Sequence, residues 1–402
     1  MTRHAKIVIG ANFGDEGKGL VTDFLASSYG ERTVVVRHNG GAQAGHTVTT
    51  PDGKRHVFKH FSSGSFVGAK TLLSRFYACN PILFFREKEA LEALGFCPDV
   101  FVDPLSPITT PYDMMINQIV EETRGGQRHG SCGLGFGETI ERTEGSNYTL
   151  SFNDLHSRAF FEKRLREIRN EWAPQRLAAL GISRIPEVWA ERLASDGIFD
   201  HTVELMEAFV NAVTSADPGL IERAESVVFE GAQGLLLDQD KGFFPHVTRS
   251  STGIKNAVAL AEDYGLTSFD VTYVTRAYAT RHGAGPFPHE LPEKPYKGIV
   301  DRTNVPNDYQ GSLRFGWLDL DILAQSIRTD LKNATSACKV SHGVAVTCLD
   351  QIGVPAHRYV INKESKEASA QDFLDDVVAA CCPSFLLTSH GPTRADVRDE
   401  AL

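Results

Sequence analysis

Short apolar runs that stop at glycine recur along this chain. Ile7 to Ile9 precede Gly10, Val34 to Val36 precede Asn39, Gly40 and Gly41, Val227 to Phe229 precede Glu230 and Gly231, and Val344 to Val346 precede Cys348 and Asp350. Continuous apolar runs of this length predict strands buried on both faces, their C-terminal ends opening into loops. Between them lie segments of helical spacing, such as Phe160 to Trp172 and Asp319 to Leu331. Strands alternating with helices predict an α/β fold with a largely parallel sheet. Ligands of such sheets sit at the C-terminal ends of strands, where the glycine-rich segments fall. Residues 154–226 are charged, helical in pattern and free of such segments, so they read as a mainly helical insertion within a single domain spanning residues 1–402.

Composition adds limits. With 42% hydrophobic and 23% charged residues in a chain of 402, there is ample material for a core. A formal net charge of −10 argues against nucleic acid or an anionic membrane as the main partner, but not against a small phosphate ligand. No apolar run approaches the length of a membrane span, and the chain reads as cytoplasmic. The seven cysteines show no paired spacing beyond Cys381 and Cys382, which predicts neither a disulfide framework nor a zinc site; most are expected to be buried small hydrophobes.

The candidate chemistry begins at Gly14-Asp15-Glu16-Gly17-Lys18-Gly19, followed by the helical Leu20 to Leu25. Glycines let backbone N–H groups approach phosphate oxygens, the helix N-terminus favours an anion, and Lys18 adds a full charge. Acids inside a phosphate loop repel the ligand unless they hold a metal or move a proton. A second glycine-dense segment, Asn39 to Thr47, carries His46, which can face the first. A third, Phe229 to Gly234, offers the amide of Gln233 to a heterocycle edge, and continues to Thr248, a candidate phosphate ligand. Thr280 to Pro288 forms a stiff loop containing His282. Asp350 and Ser389 lie after later strands, and a strand-end carboxylate can accept two N–H bonds from a guanine edge.

Taken in order, these segments resemble the adenylosuccinate synthetase family over nearly the whole chain. The phosphate loop matches at Gly14 to Gly19, the histidine loop matches except that Gln43 stands where Asn is usual, and Phe229 to Gly234, Thr280 to Pro288 and Gly316 to Asp319 also match. The resemblance implies a large central, mostly parallel sheet with flanking helices and helical subdomains, a homodimer, and Mg²⁺ as cofactor. It implies a ligase in which Asp15 takes the N1 proton of IMP, O6 attacks the γ-phosphate of GTP, and L-aspartate then displaces phosphate to give adenylosuccinate. His46 and Gln233 complete the catalytic set, and Asp15 and the Gly45 carbonyl hold the metal. It assigns Gly14, Glu16, Gly17, Lys18, Gly19, Gly45, Thr47, Asp350, Ser389 and Gly391 to the triphosphate. The purine nucleotide falls to Asp15, Lys18, Gln43, Ala44, His46, Ser131, Cys132, Gln233, Thr248 and His282.

The departures lie in substrate recognition. Cys132 stands where the family has a Thr that holds the 5′-phosphate; a partner-subunit Arg for the same phosphate aligns near Ser146, with Arg142 close by. In the aspartate loop, Asn307, Asp308, Gln310 and Gly311 replace an arginine-rich run, and only Arg314 remains. Cys348 replaces the Lys that covers guanine. These changes also resemble the phage-type branch that joins aspartate to deoxyguanylate. Two alternatives therefore stand beside IMP and GTP. One is the same chemistry on dGMP or another purine-like nucleotide, with ATP as donor or another amine. The other is a catalytically silent nucleotide-binding paralogue, against which the intact Asp15, Lys18, His46 and Gln233 speak.

Overall fold

The computed structural model describes residues 4–125, 131–217, 219–300, 311–335, 338–352 and 356–402. Its strands, in chain order, are β1 (His4–Gly10), β2 (Thr33–Arg37), β3 (His46–Thr49), β4 (Arg55–Phe58), β5 (Lys70–Leu73), β6 (Val100–Val102), β7 (Thr214–Ser215), β8 (Ser226–Gly234), β9 (Ser268–Arg276), β10 (Ala279–Arg281), β11 (Glu290–Leu291), β12 (Arg314–Gly316), β13 (Leu318–Asp319), β14 (Lys339–Thr347), β15 (His357–Ile361), β16 (Glu364–Ala368), β17 (Leu386–Ser389) and β18 (Val397–Glu400). Its α-helices are α1 (Lys18–Ser27), α2 (Pro81–Ala93), α3 (Pro111–Arg124), α4 (Phe136–Gly145), α5 (Arg158–Glu167), α6 (Ala173–Ala179), α7 (Glu187–Ala194), α8 (Asp196–Ala212), α9 (Gly219–Glu222), α10 (Lys255–Asp263), α11 (Leu320–Leu331) and α12 (Ala370–Cys381).

Ten strands form the central sheet in the order β18-β17-β14-β9-β1-β8-β2-β5-β6-β7. Every pairing in it is parallel except β17 with β18. The run of valines in β2 is buried along its whole length, as a strand covered on both faces requires. Alternation in β1 shows the two covers. Ile7 and Ile9 pack with α10 and α11 residues such as Leu260 and Leu323, whereas Val8 packs with Val21 and Leu25 of α1. Each such aliphatic burial is worth roughly 1.5–3 kcal/mol.

Residues 154–226 carry α5 to α9, and they also supply β7, the outermost strand of the sheet beside β6. Their helices share a second core with α2 and α3, built around Phe84, Ile116, Phe161, Phe199 and Phe209. The cysteines correct an expectation: only Cys79, Cys338 and Cys381 are fully buried, Cys132 and Cys348 are half-buried, and Cys97 and Cys382 are exposed; all seven are free. Cys382 caps the C-terminus of α12 in the left-handed conformation. Among the described residues no helix is long and apolar enough to cross a membrane.

Candidate functional site

The C-terminal ends of β1, β8, β9 and β14 are neighbours in the sheet, and the phosphate loop leaves from β1 among them. The loop needs glycine for space. A Cβ at Gly10 would lie 2.6 Å from the Gln233 carbonyl oxygen, and one at Gly234 would lie 2.4 Å from that of Asn12. Gly14, Asp15 and Gly17 take positive φ of 91°, 58° and 98°. Gly17 begins α1 without a side-chain cap, so the first N–H groups of that helix have no side-chain acceptor and suit an anion. The loop is tied from outside as well. Glu16 accepts from the Asn12 amide, Thr347 Oγ1 donates to the Glu16 carbonyl at 2.7 Å, and Arg276 Nε donates to the Asp15 carbonyl.

His46 opens β3 rather than sitting within the loop that precedes it, so its backbone is fixed by pairing with Phe58. Its Nδ1 lies 2.6 Å from Glu230 Oε1, and Glu230 also accepts from the amide and hydroxyl of Ser63. Arg37, fully buried, approaches Glu230 at 3.7 Å. Burial works against the Glu230 charge, but Arg37, His46 and Ser63 outweigh it and bring its pKa down to about 2. Burial, with Arg37 and Lys18, brings His46 down to about 4 despite Glu230. The ring is thus neutral near pH 7, its Nδ1–H donated to Glu230, which leaves Nε2 without a partner among the described residues.

Gln233, the penultimate residue of β8, takes the left-handed conformation, with φ of 58°. Asn39, from the end of β2, grips the preceding peptide: its Oδ1 accepts from the Ala232 amide at 2.7 Å and its Nδ2 donates to the Ala232 carbonyl at 3.2 Å. This clamp fixes the main chain immediately before Gln233.

These groups face one cavity of about 620 Å³. Its wall carries buried polar atoms without a hydrogen-bond partner among the described residues: Oε2 of Glu16, both amide atoms of Gln43, Nε2 of His46, Oε1 of Gln233 and Nε2 of His282. Buried polar atoms are almost always paired, so a cluster of unpaired ones around a cavity marks where a polar ligand binds. Lys18 and Glu16 approach within 3.9 Å. Burial lowers the Lys18 pKa and raises that of Glu16 to about 7, each opposed by the other's charge.

The cavity gathers Asp15, Lys18, Ala44, Gly45, Thr47, Ser131, Cys132 and Thr248, along with the groups already named and Gly14, Gly17 and Gly19. Ser131 accepts from Asn117 at 2.8 Å, and burial pushes the Cys132 thiol up in pKa. Other expected residues do not reach the wall. Asp350 follows β14, Ser389 ends β17 and Gly391 follows it, on the flank where Thr347 packs against Gly17. Arg314 is spent on Glu290, on both carboxylate oxygens, and on the carbonyls of Gly283 and Gly285. Its guanidinium is therefore held within the fold by these four contacts. Gly311 is exposed, and Asn307, Asp308 and Gln310 lie outside the described residues. Arg142 is fully buried against Asp113 and the Ile108 carbonyl, so it serves its own fold.

Sequence reasoning gave no role to Glu230, Asn39 or Arg276. Each stands at the polar end of an apolar strand, and an acid following Val227 to Phe229 was the visible sign of a buried partner. The helical insertion was likewise left without a part, yet Arg176 of α6 reaches the cavity wall, paired with Glu138 at 2.7 Å.

The family model for adenylosuccinate synthetase matches residues 7–383. The adenylosuccinate synthetase of Koribacter versatilis is 31% identical over 369 residues, covering 91% of this chain and 80% of that protein. That of Lactobacillus acidophilus is 33% identical over 335 residues, covering 81% and 74%. Among solved structures, the fully ligated adenylosuccinate synthetase from Plasmodium falciparum superposes with a TM-score of 0.77 at 18% identity, covering 100% of both chains. The succinoaminodeoxyadenylate synthetase of cyanophage S-2L, bound to dGMP and dATP, superposes at 0.64 with 16% identity, covering 100% of this chain and 97% of that one. At such identities these two likenesses concern the fold.

Proposed function

The chain belongs to the adenylosuccinate synthetase family, and on that premise we propose that it joins IMP to L-aspartate, with GTP as phosphoryl donor, through the cavity at the phosphate loop. The observation that carries the assignment is the convergence of Asp15, the free Nε2 of His46 and the free Oε1 of Gln233 on one cavity beside an uncapped helix N-terminus.

Asp15 takes the N1 proton of IMP, and the charge delocalises onto O6. Gln233 holds the base edge near O6, which attacks the γ-phosphate while GDP leaves. The N–H groups at the start of α1 and Lys18 balance the charge that develops on the transferring group. His46 carries Nδ1–H toward Glu230, so Nε2 becomes a donor only when the ring takes up a second proton, and the charge of a bound triphosphate favours that uptake. The amine of aspartate then attacks C6 and expels phosphate, giving adenylosuccinate.

The residues present fit Mg²⁺. The Asp15 carboxylate and Gly45 border the same cavity, and among the described residues no group of three or more His, Cys, Asp or Glu forms a metal cage. That donor set suits a cation shared with substrate phosphates. When bound, Mg²⁺ would be held by Asp15 and the Gly45 carbonyl and would offset phosphate charge. The reading includes a cytoplasmic homodimer, as the family resemblance implies.

Relatives at 31% and 33% identity are adenylosuccinate synthetases, which favours IMP over the deoxyguanylate alternative. The test is phosphate release with aspartate and Mg²⁺ present, offering IMP and dGMP in turn with GTP or ATP. Turnover confined to IMP and GTP is expected; release only with dGMP would overturn the substrate, and none with any pair would overturn the enzyme. Asp15→Asn should abolish turnover and spare nucleotide binding.

A further inference from the structure

We propose that Arg276 is a positioning residue for Asp15, fixing its main chain so that the carboxylate points into the cavity. The inference rests on the reading of Asp15 as the base. Arg276 ends β9, which lies between β1 and β14 in the sheet. Its Nε donates to the Asp15 carbonyl and its Nη1 donates to the Tyr278 hydroxyl at 3.1 Å. The Tyr278 hydroxyl in turn donates to Gln351 Oε1 at 2.6 Å, so the guanidinium is anchored from behind.

Thr347 is the residue paired with Arg276 across the β9–β14 ladder, and it holds the next carbonyl of the loop, that of Glu16. One rung of the sheet therefore grips two successive peptides of the phosphate loop. Such a grip has a reason. Asp15 has φ of 58°, in the left-handed region, which Asp tolerates better than most residues but adopts far less often than the right-handed one, so a grip on its carbonyl helps hold it there. Relaxing that peptide rotates Cα and swings the carboxylate away. Arg276 also borders the cavity. Its planar fork serves both acceptors at once, which an ammonium on a single stem does not.

The experiment compares Arg276→Met, Arg276→Lys and Tyr278→Phe by steady-state kinetics in the full-length protein, with thermal melting as a check on folding. Misplacing a reacting group by about 1 Å costs about 100-fold, so Arg276→Met should lower kcat by about that factor while both nucleotide KM values stay within about threefold. Arg276→Lys should recover part of the loss. Tyr278→Phe, which removes one hydroxyl, should lose about fivefold, and it carries the test if Arg276→Met does not fold. Combining Arg276→Met with Asp15→Asn should add no further loss. Unchanged kcat in Arg276→Met, or a raised GTP KM with kcat preserved, would overturn the proposal, the second result marking Arg276 as a plain phosphate cation. Retained turnover in Asp15→Asn would sink the base assignment itself. A dead Asp15→Asn beside a fully active Arg276→Met would sink only the present inference.

Discussion

Glu230 Oε1 and His46 Nδ1 lie 2.6 Å apart, joining positions separated by 184 residues in sequence. The contact fixes the tautomer of the ring and therefore decides which nitrogen meets the substrate. It also balances Arg37, whose side chain is fully buried.

Replacing Glu230 with Gln should accordingly damage both function and stability. An amide can still accept from Nδ1–H, but it leaves the Arg37 charge uncompensated, a loss of about 3–5 kcal/mol for a buried pair. The expected result is a lower melting temperature and a kcat reduced by roughly 10–100-fold, as for other partners that orient a working histidine. Unaltered kcat in a folded variant would remove Glu230 from the account.

Asn39→Ala should loosen the turn that carries Gln233. The Ala232 amide loses its acceptor inside the protein, which costs about 1–3 kcal/mol. The IMP KM and kcat should both worsen, because Gln233 contributes to holding the base and to the geometry at O6. Steady-state kinetics with IMP varied, read against denaturant unfolding, measures the two effects separately.

Gly234→Ala tests the close approach of β8 to the phosphate loop. The new Cβ would meet the Asn12 carbonyl oxygen at 2.4 Å and the Gly14 amide at 2.6 Å, both main-chain atoms that yield only if the loop shifts. Overpacking of this kind costs about 1–3 kcal/mol. Calorimetric titration with a non-hydrolysable GTP analogue should show at least tenfold weaker binding; wild-type affinity would count against the loop as the triphosphate cradle.

Glu87 offers a pH test remote from the cavity. It accepts from the amides of Lys59 and His60, and His56 and His60 flank it at 3.6 and 3.5 Å. Burial opposes its charge, but these partners prevail and lower its pKa from 4.5 to about 2. The stabilisation is full above pH 4.5 and disappears as pH falls toward 2, because only the unfolded chain takes up the proton in that interval. The shift corresponds to at most about 3 kcal/mol. Glu87→Gln should therefore be less stable than wild type at pH 7, and the gap should narrow between pH 4.5 and pH 3 in urea denaturation.

The sequence by itself determined the parallel sheet, the buried strands and the phosphate loop, because these rest on local signals. Unbroken valine and isoleucine runs must be covered on both faces, and Gly14 and Gly17 meet a positive-φ demand of the loop itself, whereas the space that Gly10 leaves for the Gln233 carbonyl is a demand of the fold. It also named Asp15, His46 and Gln233, since each stands inside such a segment. Only the tertiary structure decided what holds them. Glu230, Asn39 and Arg276 act across strands that are adjacent in space but distant along the chain, and no periodicity records which strand lies next to which. The same limit applies to Arg314, whose pairing with Glu290 no local pattern records. Side-chain type fixes what a group can do; the sheet order fixes what it has left to do it with.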